Sequence, residues 1–422
     1  MNKYKEALIY HQYPNPGKIS TRVTKDLKNQ NDLVLAYSPG VAGPCLEIAK
    51  NIDDIYKYTS KGNIVAVISN GTAILGLGDL GAAASKPVME GKAALFKKFG
   101  YIDAIDLEID EKDPEKFIEI VKSLENSFGA INLEDISAPN CFIIEEKLKD
   151  ILNIPVLHDD QHGTATVILA ALINCLYITG KSKEHVKIIM NGAGAAAIAC
   201  LDLLVYFGFN KSNIILCDTQ AVVYKGRKVG MNQWKEKYAT ESNARSLLDA
   251  IENADIFLGL SKADILTSEM LMKMAKDPMI FAMANPDPEI NPEIARSVRP
   301  DAIIATGRSD YPNQINNVLC FPYIFRGALD VRAKTINKEM QVAVSNALAE
   351  IARLDVPNSI YNYGYNKLSF GREYIVPVPF DERLIVTLPV EVARAAIKSR
   401  TSQIDNFDLD QYKKSLEEKT GK

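Results

Sequence analysis

The stretch that most constrains this chain is "VKIIMNGAGAAAIACLDLLVYFG", Val186 to Gly208. A short apolar run ends in a glycine turn, and an alanine-rich helical run follows at once. Strand, glycine turn and helix in that order build the first unit of a dinucleotide-binding sheet. The glycines let a pyrophosphate come close, and the helix N-terminus faces its charge. Gly192, Gly194, Ala195 and Ala196 are the expected cradle. The next apolar run, "NIILCD", ends at Asp218, 26 residues beyond Gly192, where a carboxylate would accept the ribose hydroxyls. "ADIFLGL" (254–260), "MIFAMAN" (279–285) and "DAIIATG" (301–307) repeat the pattern, each closing in a polar or glycine loop. A parallel sheet presents its carboxyl ends to a ligand through such loops.

A second stretch, "GLGDLG" (76–81), matches the same fingerprint by letter. Asp79 would place a negative charge in the cradle, and Pro87 is expected to obstruct a helix running on from the loop. The stretch reads instead as a tight turn that needs close backbone approach.

At 422 residues the chain exceeds what one core usually organises. The expected architecture is α/β in two domains. Residues 1–162 form an N-terminal α/β catalytic domain, residues 163–400 a Rossmann-type, doubly wound parallel sheet, and residues 401–422 a polar tail or surface helix. In the first part "NIVAVIS" (63–69), "YIDAIDLEI" (101–109) and "GAINLED" (129–135) read as strands. "PVMEGKAALFKKFG" (87–100) and "PEKFIEIVKSLENSF" (114–128) read as helices. A net charge of −4 argues against a nucleic-acid surface. No signal peptide is evident, and the longest apolar run, Ala165 to Ile178 with Asn174 inside it, reads as a buried helix too short to span a bilayer. Six scattered cysteines without a C-x-x-C fit reduced thiols in a cytoplasmic protein.

Three features carry candidate chemistry. In the helix from Pro87, Val88, Lys92, Leu95, Phe96 and Phe99 share one face, which places an ammonium in the apolar stripe. Desolvation there would lower its pKa toward that of a general base, and a snorkelling lysine is the plainer alternative. "INLEDISAP" ends a strand with Glu134 and Asp135, and "IPVLHDD" does the same with Asp159 and Asp160. On a strand, neighbouring side chains point to opposite faces, so each pair would divide its roles. Gathered carboxylates call for a hard divalent cation, Mg²⁺ or Mn²⁺, unless they merely cap two turns. His158 and His162 flank the second pair without a nearby cysteine, which speaks for hydrogen-bonding residues over zinc ligands.

Taken in order, "LAYSPGVAGPC", "NGTAILGLGDLG", "KPVMEGKAALFKKFG", "NLEDISAPNCF", "PVLHDDQHGTA", "NGAGAAAIA", "MANPDPEINPE" and "ATGRSDYPNQINNVLCFP" resemble the malic enzymes of the short bacterial type. The resemblance runs from about Ser20 to Arg400. It implies oxidative decarboxylation of L-malate to pyruvate and CO₂ with reduction of NAD or NADP. It makes Tyr37 the general acid, Lys92 the general base and Asp159 the partner of Lys92. It makes Glu134, Asp135 and Asp160 the metal ligands. Asn285 and Asn317, with Asn316 beside them, would hold the substrate carboxylates, and Asn285 also lies at the cofactor. A homodimer is implied, with Tyr37 reaching a neighbour's site.

Two positions depart from the pattern. Ala73 stands where larger relatives carry a malate-binding arginine, leaving backbone amides or Thr72 to replace it. After the second Rossmann strand the chain reads "DTQA" (218–221). Asp218 there favours NAD by repelling a 2′-phosphate, while Lys225 and Arg227 lie close enough to compensate. On the length given, no acyltransferase-like domain is expected to follow. A malolactic-type enzyme releasing lactate and a non-catalytic dinucleotide sensor are the competing readings.

Overall fold

The computed structural model describes residues 3–75 and 77–420. Gly76, within "GLGDLG", lies outside the described residues. Two sheets organise the chain. The first holds β1 (Ile64–Ser69), β2 (Asp103–Glu108), β3 (Ala130–Leu133) and β4 (Val156–His158), all parallel in the order β2-β1-β3-β4. The second holds β5 (Ile188–Asn191), β6 (Ile214–Asp218), β7 (Ala221–Val222), β8 (Ile256–Gly259), β9 (Met279–Ala282) and β10 (Ile303–Thr306). Its order is β10-β9-β8-β5-β6-β7, parallel except for the short β6–β7 hairpin. Each sheet is covered by helices, which is why its strands read as unbroken apolar runs. The order reverses at β5, where the glycine turn leaves the sheet, and a ligand crevice opens at such a point.

Two expectations need correction. The helix carrying Lys92 spans Ala82–Gly100, so it opens directly after "GLGDLG" with Pro87 inside it. Pro87 is only the sixth helical residue. It sacrifices a single early hydrogen bond, and its ring did not end the helix. The close approach expected in the "GLGDLG" turn falls instead on Gly71, whose added Cβ would lie 2.2 Å from the Gly81 carbonyl oxygen. Likewise Asp159 and Asp160 do not end a strand. β4 stops at His158, and both acids occupy the first turn of the helix Asp159–Thr179.

That helix is long and apolar enough to cross a membrane by length and composition, yet it runs through the protein interior with most side chains buried. It packs on the helices Ala195–Phe207 and Lys338–Arg353 and so ties the two sheets together. The helix Phe321–Asp330 follows the second sheet but packs on the Lys92 helix, with Phe96 edge-on to Phe321 and Phe325 at 4.8 and 5.2 Å. The C-terminal segment forms the helix Leu409–Lys419, docked through buried Tyr412 and Leu416. All six cysteines are free, five buried and Cys45 exposed.

Candidate active site

Lys92 is buried as its helical spacing predicts, but not among apolar groups alone. Its Nζ lies 2.6 Å from Asp159 Oδ2 and 2.8 Å from Glu134 Oε1, above the Phe321 ring at 4.2 Å. Burial pushes this ammonium toward its neutral form. Asp159, Glu134 and Asp160 outweigh it and raise the pKa above that of a free lysine. The expected depressed lysine is therefore absent here, because its neighbours are anions.

The carboxylates arrive from the carboxyl ends of β3 and β4. Glu134 follows β3 directly, with Asn132 Nδ2 donating to its Oε2 at 2.9 Å. Asp135 comes next in a left-handed conformation, φ +53, and its backbone N–H donates to Asp160 Oδ2 at 2.8 Å. Asp159 is fully buried and also bonds the Asn317 side chain from the segment after β10. This fit requires Gly163, since a Cβ there would sit 1.9 Å from Asp159 Oδ1. Burial, together with mutual repulsion, pushes Glu134 and Asp159 up to about 7 and Asp135 up to about 8, and it raises Asp160 as well. Asp135 Oδ2 and Asp159 Oδ1 are buried without a hydrogen-bond partner.

Three buried carboxylates and the half-buried Asp160 around one lysine are short of positive charge, and their unpaired hard oxygens suit Mg²⁺ or Mn²⁺. Among the described residues, however, no three His, Cys, Asp or Glu side chains converge as a metal's ligands would. Glu134 is turned onto Lys92 and Asp160 onto the Asp135 amide. The donor set fits a cation once those contacts are exchanged for it.

Other expected residues are placed less closely. Tyr37, at the C-terminal end of the helix Gln30–Ala36, is 71% exposed and makes no hydrogen bond to the cluster among the described residues. Asn285 is exposed in the loop after β9, where its amide faces Gly307. Asn316 caps the turn Asn317–Leu319 through the Val318 N–H at 2.9 Å. The replacements expected for the missing arginine are already engaged. The Ala73 N–H donates to the Asp135 carbonyl, while the Thr72 hydroxyl donates to Asn70 and accepts from the Ser137 N–H.

At the glycine turn, Gly192 adopts φ +120, and a Cβ there would lie 2.3 Å from the Leu260 carbonyl oxygen. Gly194 caps the helix Ala195–Phe207, so the first-turn N–H groups of Ala195 and Ala196 face outward from the sheet end. Asp218 ends β6 as expected, but it is not free. Arg227 grips both carboxylate oxygens at 2.9 and 2.5 Å, and Lys235 Nζ lies 2.7 Å from Oδ2. Although burial opposes it, these cations hold Asp218 down to about 2. Lys225 pairs elsewhere, with Glu241.

Sequence reasoning missed Lys235, Phe321 and Glu145. Glu145 sits on the buried face of the helix Asn140–Ile151 with Cys141, Ile144 and Leu148. An ionisable residue in an apolar stripe was the signal that singled out Lys92, and it stood here too. His162 Nε2 meets Glu145 Oε2 at 2.8 Å, while neither ring nitrogen of buried His158 makes a hydrogen bond, though Nδ1 lies 3.7 Å from Asp160 Oδ2. Burial pulls His158 down to about 4, so it is neutral.

Fold and site together define a two-domain α/β dinucleotide-binding protein with a buried lysine–carboxylate centre. Residues 16–149 match the family model "Malic enzyme, N-terminal domain", and residues 161–364 match "Malic enzyme, NAD binding domain". The chain is 61% identical over 419 residues to a probable NADP-dependent malic enzyme of Rickettsia prowazekii, covering 99% of this chain and 55% of that protein. It is 54% identical to the NADP-dependent malic enzyme of Halomonas elongata, covering 94% of each chain. The crystal structure of malic enzyme from Pyrococcus horikoshii superposes with a TM-score of 0.89 at 39% identity, covering 98% of this chain and 95% of that one. The chain belongs to the malic enzyme family. It spans about half the length of the Rickettsia relative.

Proposed function

We propose that this chain oxidatively decarboxylates L-malate to pyruvate and CO₂ with a divalent metal, reducing NADP or NAD. The observation that carries this reading is Lys92 buried between Asp159 and Glu134, with Asn317 tying the cluster to the dinucleotide-binding half. Lys92, once it has given up its own proton, takes the proton of the C2 hydroxyl, and Asp159 orients the amine and balances the charge it regains. A dinucleotide held at Gly192, Gly194, Ala195 and Ala196 would supply the acceptor for the C2 hydride. The C3–C4 bond then breaks, CO₂ leaves, and its electron pair remains as the enolate of pyruvate. Tyr37 protonates C3. Asn285, Asn316 and Asn317 hold the substrate carboxylates.

Glu134, Asp135 and Asp160 would hold Mg²⁺ or Mn²⁺. The ion would supply positive charge that polarises the C2 oxygen and eases the loss of the Lys92 proton. The apolar side chains of the first helices support a homodimer. Gln30–Ala36 and Ala42–Lys50 bury no residue and expose Leu33, Leu35, Tyr37 and Leu46, a surface that a second copy would cover and that would carry Tyr37 to the neighbouring site.

The reading is tested by identifying the product by NMR after incubation with L-malate, Mn²⁺ and NADP. Pyruvate in step with reduced cofactor is expected. Lactate without net reduction would replace the proposal with a malolactic reaction, and no turnover at all would leave only a dinucleotide-binding role.

The raised carboxylates give a pH signature. Glu134, Asp135 and Asp159 bind protons more tightly folded than unfolded, so the stability they contribute is full below their free values of 3.8 to 4.5, falls as pH rises, and is gone above about 8. Metal-free protein should lose ~5 °C of melting temperature across that window, and saturating Mn²⁺ should remove the loss. A profile indifferent to both pH and Mn²⁺ would contradict the metal assignment.

The Arg227–Asp218–Lys235 group supports NADP over NAD. With its carboxylate neutralised twice over, Asp218 no longer repels a 2′-phosphate, and one positive charge remains in excess. Lys235→Gln should lower kcat/KM with NADP by ~10–100-fold, the worth of one charge-assisted hydrogen bond, and leave NAD kinetics nearly unchanged. Equal losses with both cofactors would refute this assignment.

A further inference from the structure

We infer that Glu145 is a positioning residue whose carboxylate clamps the turn that carries Asp159 and Asp160. This deepens the proposed function and rests on it only for the consequence at the metal. Glu145 belongs to a different helix, Asn140–Ile151, and its carboxylate is buried. Its Oε1 accepts the His158 backbone N–H at 3.0 Å and lies 2.7 Å from Lys149 Nζ. Its Oε2 accepts from Gln161 Nε2 at 3.2 Å and bonds His162 Nε2 at 2.8 Å. Three of the four partners therefore come from residues 158–162, one before the acid pair and two after it.

The placement supplies what the helix start lacks. His158 is the N-cap residue, but its side chain makes no capping bond, and neither ring nitrogen makes a hydrogen bond, Nδ1 lying 3.7 Å from Asp160 Oδ2. An uncapped first turn frays. Here the acids are held by other partners, Asp159 by Lys92 and Asp160 by the Asp135 amide, and Glu145 adds a further hold on the same turn. Replacing one carboxylate oxygen by an amide NH₂ would leave either the His158 N–H and Lys149 or Gln161 and His162 facing a donor, and the turn would reorganise to satisfy them. Groups that orient a metal's ligands from behind change affinity by ~10–100-fold when lost.

The experiment compares wild type, Glu145→Gln and Glu145→Asp as full-length metal-free protein. Hydrogen exchange of the peptide spanning residues 156–165 reads the turn itself, and loss of the free Mn²⁺ paramagnetic resonance signal reads metal binding. Glu145→Gln should exchange this peptide faster and bind Mn²⁺ ~10–100-fold more weakly. NADP affinity should hold, and Glu145→Asp should recover part of both losses. Unchanged exchange in Glu145→Gln overturns the proposal, and so does faster exchange with wild-type Mn²⁺ affinity. Wild type that binds no Mn²⁺ would overturn both the functional reading and the role given to Glu145 at the metal; its hold on the turn would still stand or fall on the exchange data. If Glu145→Gln does not fold, His162→Asn and Gln161→Leu remove one contact each. Each should loosen the turn by a smaller factor, and unaltered exchange in both would also overturn the clamp.

Discussion

Lys92→Ala is expected to lower kcat for malate oxidation by ~10³-fold or more, within what a positioned general base contributes. The loss should fall on kcat more than on KM, because proton removal occurs only on the way to the transition state. Deleting the ammonium also leaves Asp159 and Glu134 buried without their cation, so the variant will be less stable. Circular dichroism and NADP binding separate that effect from catalysis. Small primary amines added to the variant should restore part of the rate, since the cavity left behind is shaped for an ammonium between two carboxylates. Full malate turnover without added amine would remove Lys92 from the role of base.

The second large effect is at Asp160. Asp160→Asn keeps an oxygen for the Asp135 N–H but removes the charge. Mn²⁺ affinity should fall by at least ~100-fold, the upper end of what is lost when a ligand's outer partner is removed. The variant should still fold, and in metal-free form it should be more stable at alkaline pH than wild type, because one repelling carboxylate is gone. An unaltered Mn²⁺ titration would exclude Asp160 as a ligand.

Much of the frame was legible because its signals are local. Apolar runs ending in glycine or acid marked β5, β6, β8, β9 and β10 within a few residues. The glycine turn was readable because Gly192 answers a backbone constraint, the Leu260 carbonyl, that no other residue meets. Lys92 was legible from helical spacing, but its protonation was not, since the carboxylates that decide it follow the ends of β3 and β4, far along the chain. Pro87 misled because a proline past the first turn forgoes one backbone hydrogen bond without having to end the helix, which here runs on through it.

At the cofactor end Lys225 and Arg227 were legible as cations that could offset Asp218, but spacing did not say which would reach it. Arg227 comes back across the β6–β7 hairpin, Lys225 turns to Glu241, and Lys235 arrives from beyond. The sequence signal for Glu145 was present and unread. Its partners at residues 158–162 lie on the next strand and helix, which spacing alone does not connect.

The most direct test of the central claim is the near-UV absorbance of reduced nicotinamide in purified, chelator-treated protein given L-malate and NADP, before and after Mn²⁺ is added. The account predicts a flat trace without the metal and a steady rise with it, matched by pyruvate and abolished in Lys92→Ala. A rise of equal slope before Mn²⁺, or none after it in protein that is folded and binds NADP, would contradict it.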